Sequence, residues 1–99
     1  MKLEPRKLVT IIILDSLEKD VIDDIKALGV KGYTISTAQG EGLNHTRDNQ
    51  WEGVNRKIET IVREETAQKI IELMSKKYFE KYGAIAFLSD VYVLRKEKF

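Results

Sequence analysis

Residues 7–15 carry an almost unbroken apolar run from Leu8 to Leu14, with Leu8, Val9, Ile11, Ile12, Ile13 and Leu14. Aliphatic and β-branched residues on both parities predict a strand covered on both faces. Asp15 or Ser16 then stands where a helix cap is needed, with Glu18 in the first turn. Leu17, Val21, Ile25 and Leu28 recur at helical spacing, and Gly29 falls where a left-handed C-terminal residue is favoured. Residues 32–38 (Gly-Tyr-Thr-Ile-Ser-Thr-Ala) predict a second strand. The polar stretch 39–53 follows. Residues 54–63 predict a third strand of imperfect alternation, because Val54, Ile58 and Val62 share a face with Arg56 and Thr60. Residues 64–81 predict a second helix with Ala67, Ile70, Ile71, Met74 and Tyr78 on its apolar side and Glu64 and Glu65 in its first turn. Gly83 ends it. Residues 84–94 hold a last strand, or two short ones broken near Ser89-Asp90.

The order β-α-β-β-α-β is that of an α+β, ferredoxin-like split βαβ fold. Right-handed crossovers place both helices on one face of a four-stranded antiparallel sheet. The first strand is nonetheless apolar toward the other face too, through Leu8, Ile12 and Leu14. Burying each such side chain is worth roughly 1.5–3 kcal/mol. A patch of this kind left in water is unusual for a monomer. The pattern therefore predicts burial of that face between subunits, with a tail folded across it as the alternative.

The 99 residues make one domain, 1–99, whose core is adequate but small. Seventeen basic and 16 acidic residues leave a net charge of +1, so no global field recruits nucleic acid or an anionic membrane. There is no cysteine, and the single histidine, His45, cannot build a histidine cluster. The apolar run 8–14 is too short to span a membrane, and the charged start has no signal-peptide layout, so a cytoplasmic protein without membrane insertion is expected.

Candidate chemistry concentrates in the loop 39–53. Its Gly40-Glu41-Gly42 either lets backbone amides converge on an anion or simply gives a pliable hairpin. A strand follows it rather than a helix, so it is no dinucleotide fingerprint. Arg47 can fork onto a phosphate or carboxylate, or remain a solvated surface arginine. Asn44 and His45 lie beside it, and His45 has no partner ligands for a metal nearby. Trp51, alone in a polar stretch, either anchors a partner or packs at the start of the third strand. Arg56 and Lys57 point to opposite faces, so at most one serves a given site. The tail 95–99 is basic, with Arg95, Lys96 and Lys98. Among Asp15, Asp20, Asp23 and Asp24, spacings of three to four put some on one exposed face, which reads as solubility rather than catalysis. No nucleophile elbow, P-loop or zinc-protease motif occurs, and the first and third strands lack the aromatics of an RNA-stacking sheet.

Taken together, several short pieces resemble the PII-like signalling proteins. They are Gly32-Tyr33-Thr34 opening the second strand, Gly40-Glu41-Gly42 opening the loop and Trp51-Glu52-Gly53 with Asn55 and Ile58-Glu59. Lys77-Tyr78-Phe79 and Tyr82-Gly83-Ala84-Ile85 complete the set. The likeness spans nearly the whole chain and is nearest to the carboxysome-associated and bicarbonate-transporter-associated branches. It implies a homotrimer with adenine-nucleotide sites in the clefts between subunits and an effector loop at 39–53. Carried over by position, Gly32 and Thr34 line the adenine side, and Gly40, Gly42 and Arg47 hold phosphate. Glu59 and Ile61 form a wall, and Tyr82, Gly83, Arg95 and Lys98 come from the facing subunit or the C-terminal edge.

The departures from that pattern are informative. Transporter-linked members tend to carry a basic residue between the two glycines, where this chain has Glu41, and a further arginine near Asn44. A carboxylate there repels a triphosphate unless a divalent cation bridges the two, which favours AMP or ADP over ATP, with bicarbonate as candidate second ligand. The loop has no tyrosine, so control by uridylylation is not expected. The resemblance thus implies a regulator rather than an enzyme, with no tightly bound cofactor. An inorganic-carbon transporter is the candidate partner, reached through Trp51, Asn44 and His45 of the loop. The alternatives are a metal-binding or tolerance trimer of similar fold and a small acyl-phosphate hydrolase of the same topology. The hydrolase needs a phosphate loop where this chain has Asp15-Ser16-Leu17-Glu18-Lys19, acidic and without glycine.

Overall fold

A computed structural model describes residues 1–40 and 54–94. Among them, β1 (Glu4–Leu14) leads through a 3-10 turn (Asp15–Leu17) into α1 (Glu18–Ala27). β2 (Thr34–Ala38) and β3 (Asn55–Val62) follow, then α2 (Glu64–Met74) and β4 (Ile85–Val93). Between α2 and β4 the helix continues as a π-helical segment (Ser75–Phe79) and one last α-turn (Glu80–Tyr82). The four strands form an antiparallel sheet in the order β2-β3-β1-β4. This is the expected α+β, ferredoxin-like arrangement.

Pairing fixes which side chains share a face. Val9, Ile11 and Ile13 of β1 are fully covered and join Ile58 and Val62 of β3 beneath the helices. Val21, Ile22 and Ile25 of α1 and Ala67, Ile70, Met74 and Tyr78 of the second helix close that core. Ile22 lies outside the helical stripe expected from the sequence, and Ile71 is only half-buried.

Thr60 breaks the apolar alternation of β3 yet is buried, because its hydroxyl donates to the Gly32 carbonyl at 2.6 Å. Arg56, on the same face, donates to Glu18 at 3.0 Å and Thr37 at 3.3 Å. Lys57 points the other way, as strand alternation requires.

One local expectation changes and one open alternative is decided. The helix after β1 is not capped by Asp15 or Ser16: the capping positions are Leu14 and Leu17, and neither makes a side-chain cap bond. The Asp15 amide instead donates to the Val54 carbonyl at 2.9 Å, tying the end of β1 to the entry of β3. Of the two readings of residues 84–94, one strand or two, β4 is the single continuous strand. Ser89 and Asp90 stay in register opposite Leu8 and Lys7, and Asp90 forms an ion pair with Lys7.

The face away from the helices carries Leu8, Ile12 and Leu14 of β1, Ile61 of β3, and Ile85, Phe87 and Val91 of β4. Within one chain Ile85 and Phe87 remain 40% and 47% exposed. No helix among the described residues is long and apolar enough to cross a membrane. Gly42, Asn44, His45, Arg47 and Trp51 of the loop lie outside the described residues, as do Arg95 and Lys98 of the tail.

Candidate functional site

The site begins where α1 stops. Gly29 takes φ +101°, a conformation that side-chain-bearing residues rarely adopt. Its amide donates to the Lys26 carbonyl at 3.0 Å, and the Val30 amide donates to the Ile25 carbonyl at 3.2 Å. This pair of bonds is a Schellman motif, and buried Val30 with buried Ile25 supplies its apolar contact. The chain is thereby turned back toward the sheet. The Thr60 hydroxyl then pins it at Gly32 just before β2 begins.

Between this pinned segment and the sheet lies a cleft of about 540 Å³ lined by Leu8, Lys31, Gly32, Tyr33, Thr34, Glu59, Thr60 and Ile61. Leu8 faces Ile61 across the β1–β3 pair, and Thr34 faces Glu59 across β2–β3. All four belong to the side of the sheet that the helices leave open, so the cleft sits at the margin of the uncovered apolar face. Its chemistry is mixed. Leu8 and Ile61 supply apolar wall, Thr34 and Glu59 supply polar groups, and Lys31 supplies a cation. The half-exposed Tyr33 ring stands at the rim, with the Lys26 ammonium 5.7 Å from its centroid. An apolar cleft with a few convergent polar groups is the usual form of a small-molecule site.

Of the residues expected from the sequence, Gly32, Thr34, Glu59 and Ile61 are thus brought together. Gly40 is not, since it follows the far end of β2. Tyr82 and Gly83 are also apart from the cleft: they form the turn into β4, the opposite edge strand of the sheet. Leu8, Lys31, Tyr33 and Thr60 line the cleft without having been singled out for it. Tyr33 sits inside the Gly-Tyr-Thr motif, where its size and ring were the available signal.

The Tyr82–Gly83 turn has its own support. Tyr78, in the π-helical segment, is 2% exposed, and its hydroxyl donates to the Asp24 carboxylate of α1 at 2.5 Å. Lys77 donates to the same carboxylate oxygen at 2.9 Å. Burial and the bond to Asp24 push the Tyr78 phenol well above the ordinary tyrosine range. Burial by itself raises the Asp24 carboxyl, but the bonds from Tyr78 and Lys77 outweigh it and hold the group below its usual value. Asp24 is therefore not part of a solvated acidic face. Gly83 takes φ +68°, with its amide donating to the Phe79 carbonyl at 3.2 Å. No group of three His, Cys, Asp or Glu residues suited to a metal ion occurs among the described residues.

The family model for nitrogen regulatory protein P-II matches residues 6–98. The chain belongs to the P-II family. Among solved structures, a protein of Thermus thermophilus named as a PII-like signalling protein is 46% identical, with a TM-score of 0.87 over 100% of this chain and 99% of that one. CPII from Thiomonas intermedia K12, bound to ADP, AMP and acetate, is 29% identical, with a TM-score of 0.87 over 100% and 98% of the two chains. The same protein bound to ADP, AMP and bicarbonate gives a TM-score of 0.83 at 29% identity over 99% and 100%. No curated protein sequence matches the chain. In this P-II chain the cleft and the open sheet face are contiguous, and Leu8 belongs to both.

Proposed function

We propose that this P-II protein is a homotrimeric signalling regulator that binds adenine nucleotides in clefts between subunits. AMP and ADP are favoured, with bicarbonate as second ligand. The observation that carries this reading is the position of the cleft. Gly32, Thr34, Glu59 and Ile61 gather at the edge of an apolar sheet face that one chain leaves uncovered. A sister copy seated on that face removes Leu8, Ile12, Ile61, Ile85 and Phe87 from water and closes the cleft in the same step. Each is already partly covered within one chain, so its further burial contributes a fraction of the roughly 1.5–3 kcal/mol of full burial. The ligands named for the CPII structures, ADP, AMP and bicarbonate, support the ligand class.

In this reading Gly32 and Thr34 hold the base side, and Glu59 and Ile61 form the wall. Gly40, Gly42 and Arg47 meet the phosphates, while Tyr82, Gly83, Arg95 and Lys98 of the neighbouring subunit complete the pocket. Ligand state passes to a partner, such as an inorganic-carbon transporter, through residues 39–53, because a ligand shifts only those conformations it binds differently. Thermal unfolding with AMP, ADP, ATP, cyclic AMP and bicarbonate tests the reading. A ligand at 100 times its dissociation constant adds about 2.7 kcal/mol. For a domain of this size that raises the midpoint by on the order of 10 °C. Midpoints unmoved by every adenine nucleotide overturn it.

A further inference from the structure

We propose that Asp24 and Tyr78 are positioning residues for the Tyr82–Gly83 wall of the ligand site, and that through them α1 holds both halves of the site. The inference rests on the nucleotide reading above, in that it takes Tyr82 and Gly83 as ligand-facing.

A π turn inserts one extra residue into the helical ladder and rotates everything after it relative to the turns before. Here it spans Ser75–Phe79, and the residue it delivers to the core is Tyr78, covered to within 2%. A buried phenol needs a partner for its hydroxyl. That partner is not on α2 but on α1: the Asp24 carboxylate at 2.5 Å, which also accepts from Lys77 at 2.9 Å. The bond fixes the rotation of the segment about its own axis.

Tyr82 follows one turn later. Its ring lies 6.1 Å from that of Tyr78 at an interplanar angle of 44°, within the range of favourable tilted aromatic pairs. Gly83 then reverses the chain with φ +68°, its amide bonded back to Phe79 inside the π-helical segment. Asp24, Tyr78 and Tyr82 thus form a line of contact from α1 to the turn that opens β4.

The other half of the site hangs from the adjacent residue. Ile25 accepts the amides of Leu28 and Val30, which sets the reversal leading to Gly32 and Thr34. The side chain of Asp24 and the carbonyl of Ile25 therefore anchor the two separated walls from one point on α1. In a trimer whose clefts combine the Gly32 wall of one subunit with the Tyr82 wall of its neighbour, this point joins one cleft to the next.

The test is ADP titration by calorimetry, with the apo unfolding midpoint measured alongside, on the wild type, Tyr78→Phe, Asp24→Ala, Asp24→Asn and Ile70→Val. Ile70→Val trims the core within α2, ahead of the π-helical segment, and serves as a control for lost stability alone. Tyr78→Phe and Asp24→Ala are expected to weaken ADP roughly threefold to tenfold, the scale of one aromatic or hydrogen-bonded contact. The double variant Tyr78→Phe with Asp24→Ala, titrated in the same way, is expected to weaken ADP no more than Asp24→Ala alone. Asp24→Asn keeps an acceptor for Tyr78 and retains most of the affinity. Ile70→Val lowers the midpoint without changing ADP affinity. ADP affinity unchanged in both Tyr78→Phe and Asp24→Ala overturns this proposal while leaving the nucleotide site intact. Affinity that merely follows the midpoint across all variants, Ile70→Val included, also overturns it. A wild type that binds no adenine nucleotide overturns the nucleotide reading itself, and the positioning role with it.

Discussion

Thr60→Val isolates the bond that shapes the cleft. Threonine and valine have nearly the same volume, so the substitution removes a hydroxyl and opens no cavity. The hydroxyl is buried and donates to the Gly32 carbonyl at 2.6 Å, short even for an O–H···O bond. A bond of this kind contributes a net of about 0.5–1.5 kcal/mol, and stranding a fully buried acceptor costs about 1–3 kcal/mol. Gly32 itself is solvent-exposed, so water can reach the segment once it loosens. The lower range, about 1 kcal/mol, therefore applies. In a domain of about 100 residues that lowers the midpoint by about 4–8 °C. Thermal unfolding at one fixed protein concentration reads the loss, since association makes the midpoint depend on concentration. Amide hydrogen exchange locates it, with faster exchange expected across residues 31–34 and little change in the core of β1. An unchanged midpoint with unchanged exchange at 31–34 would show that the Gly32 segment is held by something other than Thr60.

Two further outcomes follow from the same geometry. Gly29→Ala meets no steric obstacle, because a Cβ there has nothing within 4 Å, but it forces φ +101° on an alanine. It is expected to cost about 1–2 kcal/mol, read as a lower denaturant midpoint with an unchanged slope. The Asp24–Tyr78 pair gives a pH dependence at both extremes. Asp24 is held below 3.8, so its stabilisation is complete above that value and is lost as pH falls through the depressed one. Tyr78 is raised above 10.0, so its share is complete below that value and is lost as pH climbs through the raised one. Stability measured by denaturant from about pH 2 to about pH 11 is expected to show the acid limb and the onset of the alkaline one, and Asp24→Asn is expected to flatten the acid limb.

The sheet was legible because its residues obey simple periodicities. The two-sided apolar run of β1 marked both the core and the face left open. Gly29 and Gly83 marked both helix ends because only glycine takes those backbone angles cheaply. Other features depended on distant partners. Ser89-Asp90 left a break open as one of two readings, and only the register with Leu8 and Lys7 of β1 decides for one strand. Asp24 looked solvated because nothing local reveals that Tyr78, 54 positions away, donates to it. A spacing of four from Met74 to Tyr78 suits an α-turn as well as a π turn, so the widened segment left no mark in the pattern. For the site, the Gly32–Thr34 and Glu59–Ile61 pieces were readable by resemblance. Their meeting in one cleft depended on the Schellman turn and on Thr60, and those are contacts between elements.

The mass of the protein in solution bears most directly on the account. Light scattering during size exclusion at micromolar concentration is expected to give three times the 11.4 kDa of one chain. A homogeneous species of single-chain mass, with Ile85 and Phe87 open to water and no tendency to associate, would contradict it.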